Sequence, residues 1–145
     1  MNDKYIVHFV SKTKKKMINF IDDKLKENKL DEIVPSYGNI LTVLFDNDGK
    51  LTMRQIGELV GKDKSTITSL VNKLVKLGYV EKQKSEKDKR VTFVLITQKG
   101  RNIEEKFNGI SKQVLETAYK DFTLKEKKEL LRLLKKLNNN FEREK

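Results

Sequence analysis

Between Asp63 and Lys76 the chain carries Lys64, Ser65, Thr66, Thr68, Ser69, Asn72 and Lys73, with no acid beyond Asp63 itself. Short hydroxyl and amide side chains, with ammonium groups on flexible stems, reach phosphate oxygens and base edges without blocking close approach to a groove. A second basic cluster follows, Lys82, Lys84, Lys87, Lys89 and Arg90, opposed only by Glu81, Glu86 and Asp88. Asp88 stands two residues before Arg90, near enough to bind its guanidinium and pre-orient it. An arginine presented this way suits the strong negative potential of a narrow minor groove. The chemistry implied is recognition of a polyanion, and the plainer alternative is a solvated helix face beside a solvated hairpin.

Enzymatic chemistry finds no comparable grouping. His8 is the only histidine and there is no cysteine, which excludes thiol nucleophiles, thiolate metal sites, disulfides and cysteine redox sensing. The adjacent pairs Asp22-Asp23 and Glu104-Glu105 point to different helix faces and do not pair as acid and base. No phosphate-cradling glycine loop and no nucleophile–base pair is present. The expectation is therefore a protein that is not an enzyme, with no cofactor and no metal site.

The two clusters need elements to hold them. Thr52 and Gln55 form a capping-box pattern that starts a helix, with Ile56, Leu59 and Val60 as its expected buried face. Gly61 sits where a left-handed C-terminal cap is wanted, and Asp63 suits the N-cap of a second helix. That helix has Ile67, Leu70, Val71 and Leu74 on its inner side, and Gly78 stops it. Two short helices joined by a tight turn make a helix-turn-helix pattern. An ordinary αα-hairpin shares the spacing, but the Glu-free polar outer face separates the two. Residues 79–84 and 90–96 then read as the strands of a hairpin, with Ser85–Lys89 as its loop, because Val91–Ile96 is β-branched and aromatic. A basic hairpin beside such a helix is a wing.

The rest reads as helix. Residues 5–28 carry Ile6, Val10, Met17, Ile21 and Leu25 on one face. Pro35 opens a helix with Tyr37, Leu41, Leu44 and Phe45 on one side, ended by the turn of residues 46–50. Ile103, Phe107, Ile110, Val114 and Ala118 form a further stripe. Thr123 with Glu126 caps a last helix striped by Leu130, Leu134, Leu137 and Phe141, with Leu131 and Leu133 off the stripe. The expected architecture is mostly α with a small β-wing. It places a winged helix-turn-helix lobe at 35–97 and a helical dimerisation region at 1–34 and 98–145. The outer stripes exceed what a winged lobe covers, so a second copy of the chain is the expected partner.

A length of 145 residues suits one domain. No apolar run is long enough to span a membrane, and the start lacks an apolar signal core, so a cytoplasmic location is expected. The net charge of +11 invites a nucleic-acid reading, but 27 of the 32 basic residues are lysine, as an AT-rich genome also produces. Between Thr52 and Thr97 there are ten basic and five acidic residues, so position carries the argument more than total charge does.

Residues 51–101 resemble the winged helix-turn-helix of the MarR family of bacterial transcription regulators. The matching stretches are LTMRQIGELVGKDKSTITSLVNKLVKLGYVEK and DKRVTFVLITQKGR, with the Asp-x-Arg wing and a close on Leu95-Ile96-Thr97-Gln98-Lys99-Gly100. The resemblance implies a homodimer that binds a pseudo-palindromic double-stranded DNA operator and usually represses. It places Ser65, Thr66, Thr68 and Ser69 on the base- and phosphate-contacting face, and Arg90 on the wing arginine with Asp88 as its partner. Ser69 and Asn72 stand where the family often has a basic and an acidic residue, and Lys73 and Lys89 replace frequent arginines. Lysine lacks arginine's bidentate fork, so operator preference does not carry over. The effector left open is a small organic, often aromatic, ligand, or none. The alternative function is a winged-helix module for protein contacts or non-specific DNA binding, without an effector.

Overall fold

The computed structural model describes residues 2–142. Residue 1 and residues 143–145, the outermost ends of the expected dimerisation region, lie outside the described residues. A short 3-10 turn, Asp3–Tyr5, leads into α1 (Ile6–Glu27), followed by α2 (Pro35–Phe45), β1 (Lys50–Thr52), α3 (Met53–Val60) and α4 (Lys64–Leu77). Then come β2 (Val80–Lys84), β3 (Thr92–Ile96), α5 (Gln98–Ala118) and α6 (Leu124–Asn140). The chain divides into two compact units, Met1–Ser111 and Lys112–Lys145.

In the first unit the core is built from Leu25, Leu30 and Ile33 at the end of α1 and beyond it, Ile40, Leu41 and Leu44 of α2, Ile56 of α3, and Ile67, Val71 and Leu74 of α4. Leu51, Val80 and Val94 close it from the sheet, and Phe107 and Ile110 from α5. The Phe45 and Phe107 rings meet at 5.6 Å, tilted by 57°.

The three strands form one antiparallel sheet in the order β1-β3-β2. Sequence reading missed β1, whose three residues give too short a pattern to register. Its Leu51 pairs with Val94, which on its other side pairs with Lys82, while Thr92 pairs with Lys84. Cross-strand partners share a face, so Lys82 and Lys84 extend the same side of the sheet that buries Leu51, Val80 and Val94. The expected strands were each too long at one end. Tyr79 precedes β2, and Arg90 and Val91 belong to the turn, where Val91 N–H donates to Asp88 O at 2.9 Å.

The expected caps form. Thr52 and Gln55 exchange both capping-box bonds, at 3.1 and 2.8 Å. Gly61 ends α3 at φ +74, a left-handed conformation that suits glycine. One expectation fails: Leu59 is 56% exposed rather than buried, because the inward side of α3 runs through Met53, Ile56, Gly57 and Val60 and Leu59 lies off it. The α1 stripe also divides. Leu25 is buried and Ile21 half-buried, but Ile6, Val10 and Met17 are exposed beside Tyr5, Val7 and Phe9.

In the second unit, Thr123 and Glu126 close the second capping box at 3.1 and 3.0 Å. The Tyr119 and Phe122 rings meet edge to face at 5.9 Å. Leu124, Leu131, Leu133, Leu134 and Phe141 are exposed, Phe141 at 79%.

Candidate nucleic-acid interface

Asp63 starts α4 by accepting the Thr66 amide at 2.7 Å. The Thr66 amide and hydroxyl hold the Asp63 carboxyl below the usual carboxylate range, so Thr66 is engaged first in the cap. Thr68 donates its hydroxyl to Lys64 O at 2.8 Å, which leaves that oxygen as an acceptor toward solvent. Lys64, Ser65, Ser69, Asn72 and Lys73 are exposed, while Thr66 and Thr68 are half-buried. No acidic side chain interrupts this face, in keeping with the sequence.

Two concavities meet along α4. The larger, about 1040 Å³, is lined by Arg54, Glu58, Lys62, Lys64, Thr68, Lys82, Lys84, Arg90 and Thr92, over a floor that includes Met53 and Ile67. The smaller, about 480 Å³, is lined by Ser65, Thr68, Ser69, Asn72, Lys73 and Lys76. Thr68 is shared, so the helix face and the inner face of the hairpin form one continuous surface. The strand register supplies the reason: Lys82 and Lys84 turn toward α4, whereas Glu81 and Gln83, paired with Leu95 and Phe93, take the opposite face of the sheet.

Lys87 and Lys89 line neither concavity and stand exposed at the hairpin tip with Glu86. The tip is held by Ser85, whose amide donates to Val91 O at 2.9 Å and whose hydroxyl accepts the Asp88 amide at 3.3 Å. Asp88 binds Arg90 through both carboxylate oxygens, from Nε at 3.0 Å and Nη2 at 3.1 Å. The guanidinium holds the Asp88 carboxyl below its ordinary range, and the carboxylate in turn raises Arg90.

Sequence reading missed Arg54, Lys62 and Lys76 as members of this surface. Arg54 carries an ion pair to Glu58 at 3.2 Å, which reads in sequence as an ordinary i,i+4 helix pair. Lys62 lies in the turn, where periodicity gives no facing. Lys76 follows Lys73 by three residues, a spacing that places both on one helix face and was available as a signal. Among the described residues no cluster of three metal-ligating side chains exists.

A two-helix unit with a three-residue turn, followed by an antiparallel hairpin whose Lys82 and Lys84 turn toward the second helix, defines a winged helix-turn-helix protein. The chain belongs to the MarR family, whose family model matches residues 35–91. It is 31% identical over 132 residues to the HTH-type transcriptional regulator SarZ of Staphylococcus haemolyticus, covering 90% of this chain and 85% of that one. A MarR protein structure from Peptoclostridium difficile is 28% identical, with a TM-score of 0.78, over 97% of this chain and 89% of that one. A mutant MarR from E. coli complexed with operator DNA shares the fold at 21% identity and a TM-score of 0.76, covering 91% of this chain and 92% of that one. Proteins of this family are DNA-binding transcriptional regulators, not enzymes.

Proposed function

We propose that this chain is a homodimeric repressor of a pseudo-palindromic DNA operator. Lys64, Ser65, Thr66, Thr68, Ser69, Asn72 and Lys73 form the face that enters the major groove, with the Ser65, Thr68 and Ser69 hydroxyls reading base edges, Thr66 holding the cap and the lysines meeting phosphates. Lys82, Lys84, Lys87 and Lys89 follow the adjoining backbone, and Arg90, aimed by Asp88, enters the minor groove. The observation that carries this reading is the continuity of the α4 face with the inner face of the hairpin through Thr68.

Residues 35–97 are the DNA-binding lobe in this reading, and residues 1–34 and 98–145 form the dimer. Its support is the exposed apolar array of α1 and, separately, that of α6, since apolar patches of this kind mark interaction surfaces. A small organic ligand releases the dimer from DNA, in keeping with the family resemblance. No helix among the described residues is long and apolar enough to cross a membrane, and a repressor acts in the cytoplasm where its operator lies.

Selection of bound duplexes from a random pool, followed by gel shifts against non-specific competitor, tests the reading. The expected outcome is an inverted-repeat motif whose complex survives competitor. A complex lost to competitor for every duplex would leave only non-specific attraction, and no complex at all would favour a protein-contact module.

A further inference from the structure

The end of α4 is fastened by side chains that line neither concavity of the proposed interface. Lys99, in the first turn of α5, donates its ammonium to Leu77 O at 2.6 Å. The same ammonium lies 3.6 Å from Glu32 Oε1 and 4.6 Å from the centre of the Tyr79 ring. Tyr79 is buried, and its hydroxyl donates to the Glu32 carboxylate. Thr97 ties the same point from beside Lys99, with its hydroxyl donating to Gly78 O at 2.6 Å and its amide to Tyr79 O at 3.0 Å. At Gly100 a Cβ would lie 2.5 Å from Tyr79 O, so only glycine allows α5 to approach this closely.

Three stretches far apart in sequence thus converge on one spot: Glu32 ahead of α2, Leu77–Tyr79 at the exit of α4, and Thr97–Gly100 at the start of α5. Leu77 O is among the last carbonyls of its helix, which lack intrahelical partners, and a cation there is favoured by the helix dipole. A helix is stiff, so its direction is set by where its two ends are held. The entry of α4 is held by the tight turn from α3, where the Lys62 amide donates to Gly57 O at 3.3 Å, and by the buried Ile67. The exit is held by Thr97 and, on the last turn of the helix itself, by Lys99.

We infer that Lys99 is a positioning residue for DNA recognition, with Glu32 and Tyr79 holding its ammonium on the Leu77 carbonyl so that α4 meets the groove at a fixed angle. This rests on the reading of α4 as the recognition helix. Lys99 and Glu32 are about half exposed, and ion pairs of that kind add little to stability. The consequence of losing the contact falls on alignment, hence on discrimination between duplexes.

The test uses the full chain, the operator obtained by selection and a non-specific duplex of equal length, each over a salt series. Lys99→Met keeps the aliphatic stem, Glu32→Gln keeps the shape of the holder, and the double variant joins them. Each single variant is expected to lower the operator-to-non-specific affinity ratio about fivefold, the net scale of one hydrogen bond. The salt slope is expected to stay unchanged, and the double variant to be no worse than the stronger single. An unchanged ratio in both singles would overturn the inference. So would a slope reduced by about one unit in Lys99→Met, which would make Lys99 a phosphate contact, or additive losses in the double. If Lys99→Met fails to fold, Glu32→Gln decides by the same ratio. A wild-type protein that prefers no duplex would instead overturn the DNA reading itself, a result distinct from variants that match a discriminating wild type.

Discussion

The carboxylate of Asp88 grips the Arg90 guanidinium edge-on, at 3.0 and 3.1 Å, and one of its oxygens also accepts the Arg90 amide at 3.0 Å. The Arg90 side chain is 90% exposed, so the pair adds little to folding. Its effect is to narrow the directions in which the guanidinium points.

Arg90→Ala is therefore expected to weaken operator binding about tenfold, the scale of one good groove contact, with little change in melting temperature. Asp88→Ala removes a negative charge from the hairpin proposed to face DNA, and charge alone would strengthen binding. Orientation predicts the opposite, a weaker complex. Titration of both variants against the selected operator decides, and tighter binding by Asp88→Ala would remove the orienting role.

Acid dependence follows from the caps. Asp63 is held below its ordinary range chiefly by the Thr66 amide, so its folded value lies below its unfolded one. Its stabilising contribution is complete above the ordinary carboxylate range and is lost as pH falls through the lowered value. Asn also caps helices well but does not titrate. Asp63→Asn is expected to melt close to wild type at neutral pH and to lose less stability on acidification below about pH 4. Parallel acid slopes in the two proteins would show that the cap does not contribute to the acid transition.

Ser65, Thr68 and Ser69 are expected to set sequence choice, since the two serines stand exposed on α4 and Thr68 keeps its oxygen as an acceptor beside them. Changing all three to alanine should alter the motif recovered by selection more than it lowers affinity for bulk DNA. An unaltered motif would move base reading elsewhere on the surface.

The sequence was most legible where local chemistry is self-contained. Thr52 with Gln55, Gly61, Asp63 and Thr123 with Glu126 each form a cap within a few residues, and each formed as read. The hairpin was legible from composition, but its strand ends were not, because the Asp88 turn draws Arg90 and Val91 out of the ladder. What escaped depends on distant partners. β1 is a strand only because β3 pairs with it, Leu59 is exposed because α3 turns its Met53, Ile56, Gly57 and Val60 side inward, and Arg54 joins the proposed interface only through the fold. The Lys99 contact joins residues 22 positions apart along the chain, and no local pattern marks it.

The apolar residues left open on α6 predict association. Leu131 and Leu134 are each nearly half exposed, so charge placed there costs the monomer little. Leu131→Glu with Leu134→Glu is expected to shift light scattering from a dimer to the 17.0 kDa chain mass and to weaken operator binding. A wild-type protein scattering as a monomer at micromolar concentration would remove the dimer.

The last prediction separates a built interface from a merely basic protein. Lys84 lines the larger concavity on the inner face of the hairpin, and Lys89 stands at its tip. Lys15 and Lys127 lie on α1 and α6, and Lys127 sits 4.4 Å over the Tyr119 ring. Each phosphate neutralised by the protein releases condensed counterions, so the slope of log affinity against log salt counts contacts rather than total charge. Lys84→Ala and Lys89→Ala are each expected to flatten that slope by about one unit. Lys15→Ala and Lys127→Ala should leave it unchanged, although each removes the same single charge. Equal changes in all four variants would mean diffuse attraction to the whole +11 chain, with no particular part for the hairpin.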